Sequence, residues 1–255
     1  MNILYTKNKE KFVAYYKLNA NKKKAPYVIF HHGLMSDMNG AKAVYIEKYC
    51  KWRDYNFIRF DNFGHGQASG QFVDETISSW LEGLSLVISK LSDGPVLLVG
   101  SSMGSWITTL GAIKYPEKII GMVGISSAPD FTEELIWNKI TPRKQAVLKA
   151  EGVAEVSGAD PNCSHVYPVS YKLILDGRKH LLLTEKHIEI SCLVHLIHGM
   201  KDADVPYSIS QRLAEKIVGN EVVIKLLKGA NHSLSRDEDL QIICNSIEEV
   251  LGSQS

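Results

Sequence analysis

One serine of this chain stands in a setting that could make it a nucleophile. Ser102 is the middle residue of Gly100-Ser101-Ser102-Met103-Gly104, which follows the apolar run Val96–Val99 and precedes an amphipathic stretch. A strand, a sharp turn flanked by glycines and a helix form a nucleophile elbow, which exposes a serine hydroxyl at the end of a sheet. The same turn puts the backbone N–H of Met103 at a helix N-terminus, where it can stabilise an oxyanion. The segment therefore predicts nucleophilic catalysis by Ser102.

A serine hydroxyl needs a general base to take its proton and an acid to orient that base. His232 follows a late apolar run and is the only histidine downstream of Asp202, the preferred acid, so we expect it to be the base. Asp202 follows the predicted strand Leu193–His198 in the spacing H-G-x-x-D-x-x-V-P, and it is the preferred acid. Asp204, two residues further on, and Asp130, after an earlier strand, are the alternatives.

The oxyanion of such a reaction needs a second backbone donor, from the loop after an early strand. Gly33 and Leu34 follow directly on the predicted strand Tyr27–His32, so we expect the N–H of Leu34 to act together with that of Met103. Gly33 allows the backbone to approach the substrate oxygen closely. The side chains of Leu34 and Met103 are expected to line the substrate pocket, and Trp137 is a further candidate for substrate binding.

The elements that must position these residues follow from the hydrophobic pattern. Apolar runs alternate with amphipathic stretches, which is typical of a mostly parallel sheet with helices on both faces. Strands are predicted over Lys11–Leu18, Tyr27–His32, Asn56–Phe60, Pro95–Val99, Ile120–Ile125, Leu193–His198 and Val222–Leu227. Apolar residues at helical spacing predict helices over 77–91, 106–113 and 240–251. His195 and His198 alternate with apolar residues in one predicted strand and are expected to be core residues.

The alternation stops between about residues 128 and 189, where proline, glycine and short amphipathic pieces take over. An insertion of about 60 residues in a regular sheet is expected to form a helical cap over the active site rather than a structureless loop. The alternative is ordinary helical packing at a sheet edge. The sequence contains no internal repeat, so we expect a single domain over 1–255 that carries this insertion.

Composition excludes several kinds of protein. The 29 basic and 28 acidic residues give a net charge of +1, which does not favour nucleic-acid binding. No stretch approaches the roughly 18 apolar residues of a transmembrane helix. Residues 1–10 contain no apolar segment of a signal peptide, so a cytoplasmic, soluble protein is expected. The four cysteines are scattered without a C-x-x-C pair, which predicts free thiols and no metal site.

The elbow, the His32-Gly33 pair, Asp202 and His232 together resemble the α/β-hydrolase superfamily, and the match runs over nearly the whole chain. Further segments are similar to the α/β-hydrolase-domain palmitoyl-protein thioesterases: Leu34–Gly40, Ile58–Asp61, Gly94-Pro95, Val99–Ser102 and His198–Asp202. This resemblance implies the α/β-hydrolase fold, a triad of Ser102, Asp202 and His232, and oxyanion donors at Leu34 and Met103. Members of that group cleave S-acyl groups from cysteine and, in some cases, acyl glucuronide esters.

The expected reaction is hydrolysis of an acyl ester or thioester through an acyl-Ser102 intermediate, without a metal or an organic cofactor. The substrate would be an acylated small molecule or an S-acylated protein. The same triad also serves C–C bond hydrolases and haloperoxidase-like enzymes, so such chemistry on a small molecule is an alternative. A non-catalytic binding protein with this fold is a second alternative, which the intact set of triad residues disfavours.

Overall fold

The apolar runs of the sequence form a mixed sheet at the centre of the protein. The computed structural model describes residues 1–22, 25–158, 166–218 and 221–253. Its strands are β1 (Asn2–Tyr5), β2 (Phe12–Leu18), β3 (Tyr27–His31), β4 (Asn56–Asp61), β5 (Val96–Ser101), β6 (Ile119–Ile125), β7 (Val153–Ser157), β8 (Val166–Ser170), β9 (Ile188–Glu189), β10 (Leu193–Gly199), β11 (Ile217–Val218) and β12 (Val222–Leu227). All seven predicted strands are present, with ends that differ by at most two residues. The exposed edge strand β1 has no apolar run and was not predicted.

Eight of these strands form the central sheet in the order β1-β2-β4-β3-β5-β6-β10-β12. The strands β1 and β2 are antiparallel to each other, and β2 is antiparallel to β4. From β4 to β12 every neighbouring pair is parallel. The carboxyl ends of β3, β5, β10 and β12 therefore lie along one edge of the sheet, which is where ligands bind in parallel α/β sheets.

Helices cover both faces of the sheet, as predicted. They are α1 (Ala41–Arg53), α2 (Ile77–Leu91), α3 (Met103–Lys114), α4 (Pro142–Glu151), α5 (Tyr171–Gly177), α6 (Ser208–Lys216) and α7 (Asp237–Gly252). Trp80 of α2 and Trp106 of α3 are buried in one apolar cluster. Ile46 of α1 and Ile247 of α7 are buried in a second cluster. The two clusters fix the sheet between two helical layers. None of the helices in the described ranges is long and apolar enough to cross a membrane.

Between β6 and β10 the chain leaves the sheet, within the interval where the sequence pattern breaks. A single turn of π-helix (Thr132–Trp137) and the helices α4 and α5 agree with the short amphipathic pieces in the sequence. The antiparallel pair β7–β8 was not predicted, because each of these five-residue strands buries only one apolar side chain, Val156 in β7 and Val169 in β8.

The cysteines of the described ranges do not form disulfides. Cys50, Cys192 and Cys244 are free thiols, and two of them, Cys50 and Cys244, are buried. Burial raises the pKa of the Cys192 thiol to about 11. The fourth cysteine, Cys163, lies in 159–165, outside the described residues.

Candidate active site

The elbow holds Ser102 in a backbone conformation that side-chain-bearing residues rarely adopt. Its φ is 55° and its ψ is −120°, between the end of β5 and the start of α3. The N–H of Ser102 donates a hydrogen bond to the carbonyl oxygen of Ile125 at 2.8 Å, which ties the turn to β6. A Cβ at Gly104 would lie 2.4 Å from the carbonyl oxygens of both His31 and His32. The helix can therefore approach β3 this closely because residue 104 is glycine.

A continuous path of hydrogen bonds joins Ser102, His232 and Asp202. Nε2 of His232 lies 3.0 Å from Oγ of Ser102, and Nδ1 of His232 lies 2.7 Å from Oδ2 of Asp202. A carboxylate can only accept, so Nδ1 carries a proton and Nε2 is free to accept the Ser102 hydroxyl hydrogen. The Asp202 side chain is fully buried, whereas His232 is 26% exposed. This arrangement orients the imidazole as a base toward Ser102.

Asp202 is held as an anion at the bottom of the site. Burial by itself would raise the pKa of this carboxyl, but hydrogen bonds from His198, His232 and the N–H of Val205 lower the pKa well below its usual range. Its Oδ1 accepts the backbone N–H groups of Asp204 at 3.0 Å and Val205 at 2.8 Å. A carboxylate held in this way remains available to stabilise an imidazolium at His232.

The two alternative acids, Asp204 and Asp130, take part in other hydrogen bonds. The backbone of Asp204 donates to Asp202, as described above. The carboxylate of Asp130 accepts the N–H groups of Leu182 at 2.8 Å and Leu183 at 2.7 Å. Burial raises the pKa of Asp130 to about 6. The carboxylate of Asp202 bonds His232, with Oδ2 2.7 Å from Nδ1.

Within the described ranges, one group of side chains has the spacing of a metal site. One ligand atom from each of Asp202, Asp204 and His232 lies within 4.8 Å of the others. Asp202 and His232 are already hydrogen-bonded to each other. A cation bound here would therefore compete with the bond that orients His232.

Two histidines fix the loop that carries the expected oxyanion donor Leu34. Nδ1 of His32 donates to the carbonyl oxygen of Gly33 at 2.8 Å, and Nε2 of His65 accepts the N–H of Met35 at 3.3 Å. Burial lowers the pKa of both imidazoles to about 4, so both are neutral at pH 7. The backbone is thus held on each side of Leu34.

The two expected oxyanion donors approach Ser102 from different elements. A Cβ at Gly33 would lie 3.3 Å from the Cβ of Ser102, so this loop lies directly against the serine. Met103 is the first residue of α3, and the first N–H groups of a helix have no acceptor within it. Within the described ranges, neither the N–H of Leu34 nor that of Met103 donates to another protein group.

A cavity of about 1020 Å³ opens onto Ser102 and His232, and its lining is mostly apolar. Leu34 and Met103 are among the residues that line it. Its volume is at the upper end of the range for small-molecule sites, roughly 300–1,000 Å³. Side chains from the interval between β6 and β10 also line it, among them Phe131, Leu135, Ile136 and Tyr167.

A second cavity of about 650 Å³ also reaches Ser102 and His232, and its character is different. Gly33 lines this cavity together with polar side chains, among them Lys42, Asn231 and Ser233. Lys42 donates to the carbonyl oxygen of Ser233, and burial lowers the pKa of its ammonium group to about 8. Ser102 therefore lies between a mostly apolar space and a more polar one.

The expectation for Trp137 is corrected by its packing. Among the described residues that line the two cavities, Ile136 is present and Trp137 is not. The indole packs against Tyr171, with ring centroids 5.8 Å apart, and the guanidinium of Arg178 lies 5.0 Å from its centroid. Consecutive side chains of a helical turn point in different directions, so Trp137 faces away from the cavity that the neighbouring Ile136 lines.

The sequence reasoning missed one residue that contacts the site. His198 was expected to be a core residue, but its Nε2 lies 3.0 Å from Oδ2 of Asp202. The sequence did contain a sign of this contact, since His198 is the first residue of the H-G-x-x-D motif and Asp202 is the last. A tight loop after a strand can bring two side chains four residues apart into contact.

Comparison with known proteins agrees with this geometry. The pattern of the family described as Serine aminopeptidase, S33 (Hydrolase_4) matches residues 22–239. The chain belongs to this family. It is a serine hydrolase, as the elbow predicted.

Relatives of similar length support the narrower resemblance. A protein of Homo sapiens is 33% identical over 243 residues, which cover 95% of this chain and 78% of that protein. A protein of Bos taurus is 33% identical over 239 residues, which cover 92% of this chain and 76% of that protein. Both are named palmitoyl-protein thioesterase ABHD10, mitochondrial. The expected cytoplasmic location is therefore wrong, since the relatives that match most of the chain are named as mitochondrial proteins.

Solved structures confirm the predicted α/β-hydrolase fold. The mouse α/β hydrolase domain-containing protein 10 superimposes with a TM-score of 0.89 at 30% identity, over 100% of both chains. A putative hydrolase of Agrobacterium vitis gives a TM-score of 0.90 at 31% identity, over 98% of this chain and 97% of that one. Because these two likenesses cover 98% or more of this chain, they extend over the sheet, its helices and the interval between β6 and β10.

Proposed function

We propose that this protein hydrolyses acyl thioesters, with Ser102 as nucleophile, His232 as general base and Asp202 as the acid that orients the base. The observation that carries the proposal is the unbroken path from Ser102 Oγ through His232 to Asp202, with bonds of 3.0 and 2.7 Å. The S-acyl substrate class is supported by the relatives named palmitoyl-protein thioesterases.

The proposed cycle begins when His232 takes the Ser102 proton and Oγ attacks the acyl carbonyl carbon. The oxyanion accepts hydrogen bonds from the N–H groups of Leu34 and Met103, and one such donor contributes about 3 kcal/mol. Asp202 stabilises the imidazolium. His232 then protonates the sulfur as the C–S bond breaks. The thiol departs, and the acyl group remains bound to Ser102 as an ester. Water activated by His232 attacks this ester, which releases the acid and restores the serine.

The two cavities suggest where each half of the substrate binds. The larger, apolar cavity suits the acyl chain, and the smaller, polar cavity suits the part that carries the leaving thiol. Within a single domain over 1–255, residues 128–189 would serve as the cap. Phe131, Ile136 and Tyr167 support this role, because they belong to that interval and line the larger cavity.

The test of the substrate class is kcat/KM over matched acyl series from two to sixteen carbons, measured as thioesters and as activated oxyesters. We expect kcat/KM to rise toward long thioesters. A maximum at short oxyesters would instead make the protein a small-molecule carboxylesterase.

Covalent labelling separates catalysis from simple ligand binding. A fluorophosphonate should label the wild-type protein and the control Ser89→Ala, whose serine is exposed on α2, but not Ser102→Ala. Unlabelled wild-type protein that melts cooperatively would contradict the proposed nucleophile.

A further inference from the structure

His198 is fully buried in β10, four residues before Asp202. Its Nε2 lies 3.0 Å from Oδ2 of Asp202 and 3.0 Å from the carbonyl oxygen of Val205. Both oxygens only accept hydrogen bonds, so Nε2 must carry the proton. On the other side of the ring, Nδ1 lies 2.7 Å from the hydroxyl oxygen of Ser210 in α6. The ring is therefore fixed at both nitrogens.

The oxygen that His198 contacts is the same oxygen that orients the base. Oδ2 of Asp202 receives Nδ1–H of His232 at 2.7 Å and Nε2–H of His198 at 3.0 Å. We infer that His198 is a positioning residue for the catalytic acid, and that Ser210 and His198 extend the triad into a chain of five hydrogen-bonded side chains. The inference rests on the proposed roles of Ser102, Asp202 and His232.

Two physical effects follow from this contact. First, Oδ1 accepts two backbone N–H groups and Oδ2 accepts two imidazoles, so the carboxylate cannot rotate away from His232 without losing bonds. Second, His198 donates to the same oxygen as His232, so it fixes the position of the acceptor that orients the His232 ring.

Other charged groups also act on this carboxylate, and they remain in place in every variant used below. The ammonium group of Lys42 is close enough to interact electrostatically with Asp202. A carboxylate oxygen of Asp204 lies within 4.8 Å of a carboxylate oxygen of Asp202 and of a ring nitrogen of His232.

The same strand offers a matched control. His195 lies three residues before His198, is 3% exposed, and has its Nδ1 3.5 Å from Glu249 rather than near the triad. Substitution of His195 by glutamine changes a buried histidine of β10 without altering the bonds to Asp202.

The experiment measures the rate of fluorophosphonate labelling at neutral pH, which does not depend on the identity of the natural substrate. For His198→Leu we expect a rate about 10- to 100-fold lower, since a hydrogen bond to a charged group is lost. His198→Gln, whose amide can still donate to Asp202, should recover most of the rate.

Ser210→Ala removes the partner of Nδ1 and is expected to slow labelling in the same direction by about 2- to 10-fold. His195→Gln should keep the wild-type rate. If His198→Leu fails to melt cooperatively, His198→Gln and Ser210→Ala decide the question. A wild-type labelling rate in His198→Leu or Ser210→Ala, or equal losses in the leucine and glutamine variants, would overturn the inference. Failure of the proposed function looks different, because the wild-type protein would then not be labelled at any pH.

Discussion

The close approach of α3 to β3 makes Gly104→Ala a sharp test of how the oxyanion donors are positioned. The new Cβ would lie 2.4 Å from the carbonyl oxygens of His31 and His32, whereas a real Cβ keeps at least 3.0 Å. The helix and the strand must therefore separate by about 0.6 Å. One donor begins the helix and the other follows the strand, so this movement changes the distance between the N–H groups of Met103 and Leu34.

The size of the effect follows from that displacement. A misplacement of about 1 Å in an active site costs about 100-fold in rate, so about 0.6 Å should lower kcat/KM by roughly 10- to 100-fold. Overpacking of this kind lowers the free energy of unfolding by about 1–3 kcal/mol. The assay is kcat/KM with an activated short-chain ester, together with urea unfolding of the same preparation.

The control is Gly94→Ala, because a Cβ there would lie 3.8 Å from the ring of Tyr27, an ordinary contact. This variant should match the wild-type protein in rate and unfolding. If Gly104→Ala also keeps the wild-type kcat/KM, the donors tolerate displacement of α3, and the reasoning about their positioning is refuted.

Two further predictions concern pH and the acyl cavity. The folded-state pKa of His32 and His65 is about 4, against 6.5 when unfolded, so the unfolded chain takes up protons first as the pH falls. The free energy of unfolding should decrease by at least about 2 kcal/mol between pH 6.5 and 4; equal urea midpoints at pH 7 and 4.5 would contradict this. Ile136→Ala should shift the acyl-chain preference toward longer chains because Ile136 lines the cavity. Trp137→Phe should lower stability by about 1 kcal/mol without moving that preference, and the acyl series described above measures both.

Much of the active-site geometry could be predicted from the sequence because parallel strands end at one edge of their sheet. Ser102, Asp202 and His232 lie one, three and five residues beyond the carboxyl ends of β5, β10 and β12, and the order of such strands limits how far apart these ends can lie. Local spacing was sufficient there, since each residue had only to be assigned to the end of the right strand.

Other features depend on contacts that spacing does not report. The bond between His198 and Asp202 depends on how the loop after β10 turns. An alternating apolar pattern predicts that a histidine is buried, but it does not indicate which groups its ring nitrogens bond. The position of Trp137 depends on which way one helical turn faces. The pair β7–β8 is stabilised by pairing between strands, and its sequence carries little hydrophobic signal because each strand buries only one apolar side chain.

The backbone at Ser102 also limits how this protein can change over time. A φ of 55° costs a residue with a side chain on the order of 1–3 kcal/mol, a cost that glycine avoids. Glycine at position 102 would therefore make the chain more stable while removing its nucleophile. Stability and catalysis are thus in direct conflict at a single β-carbon.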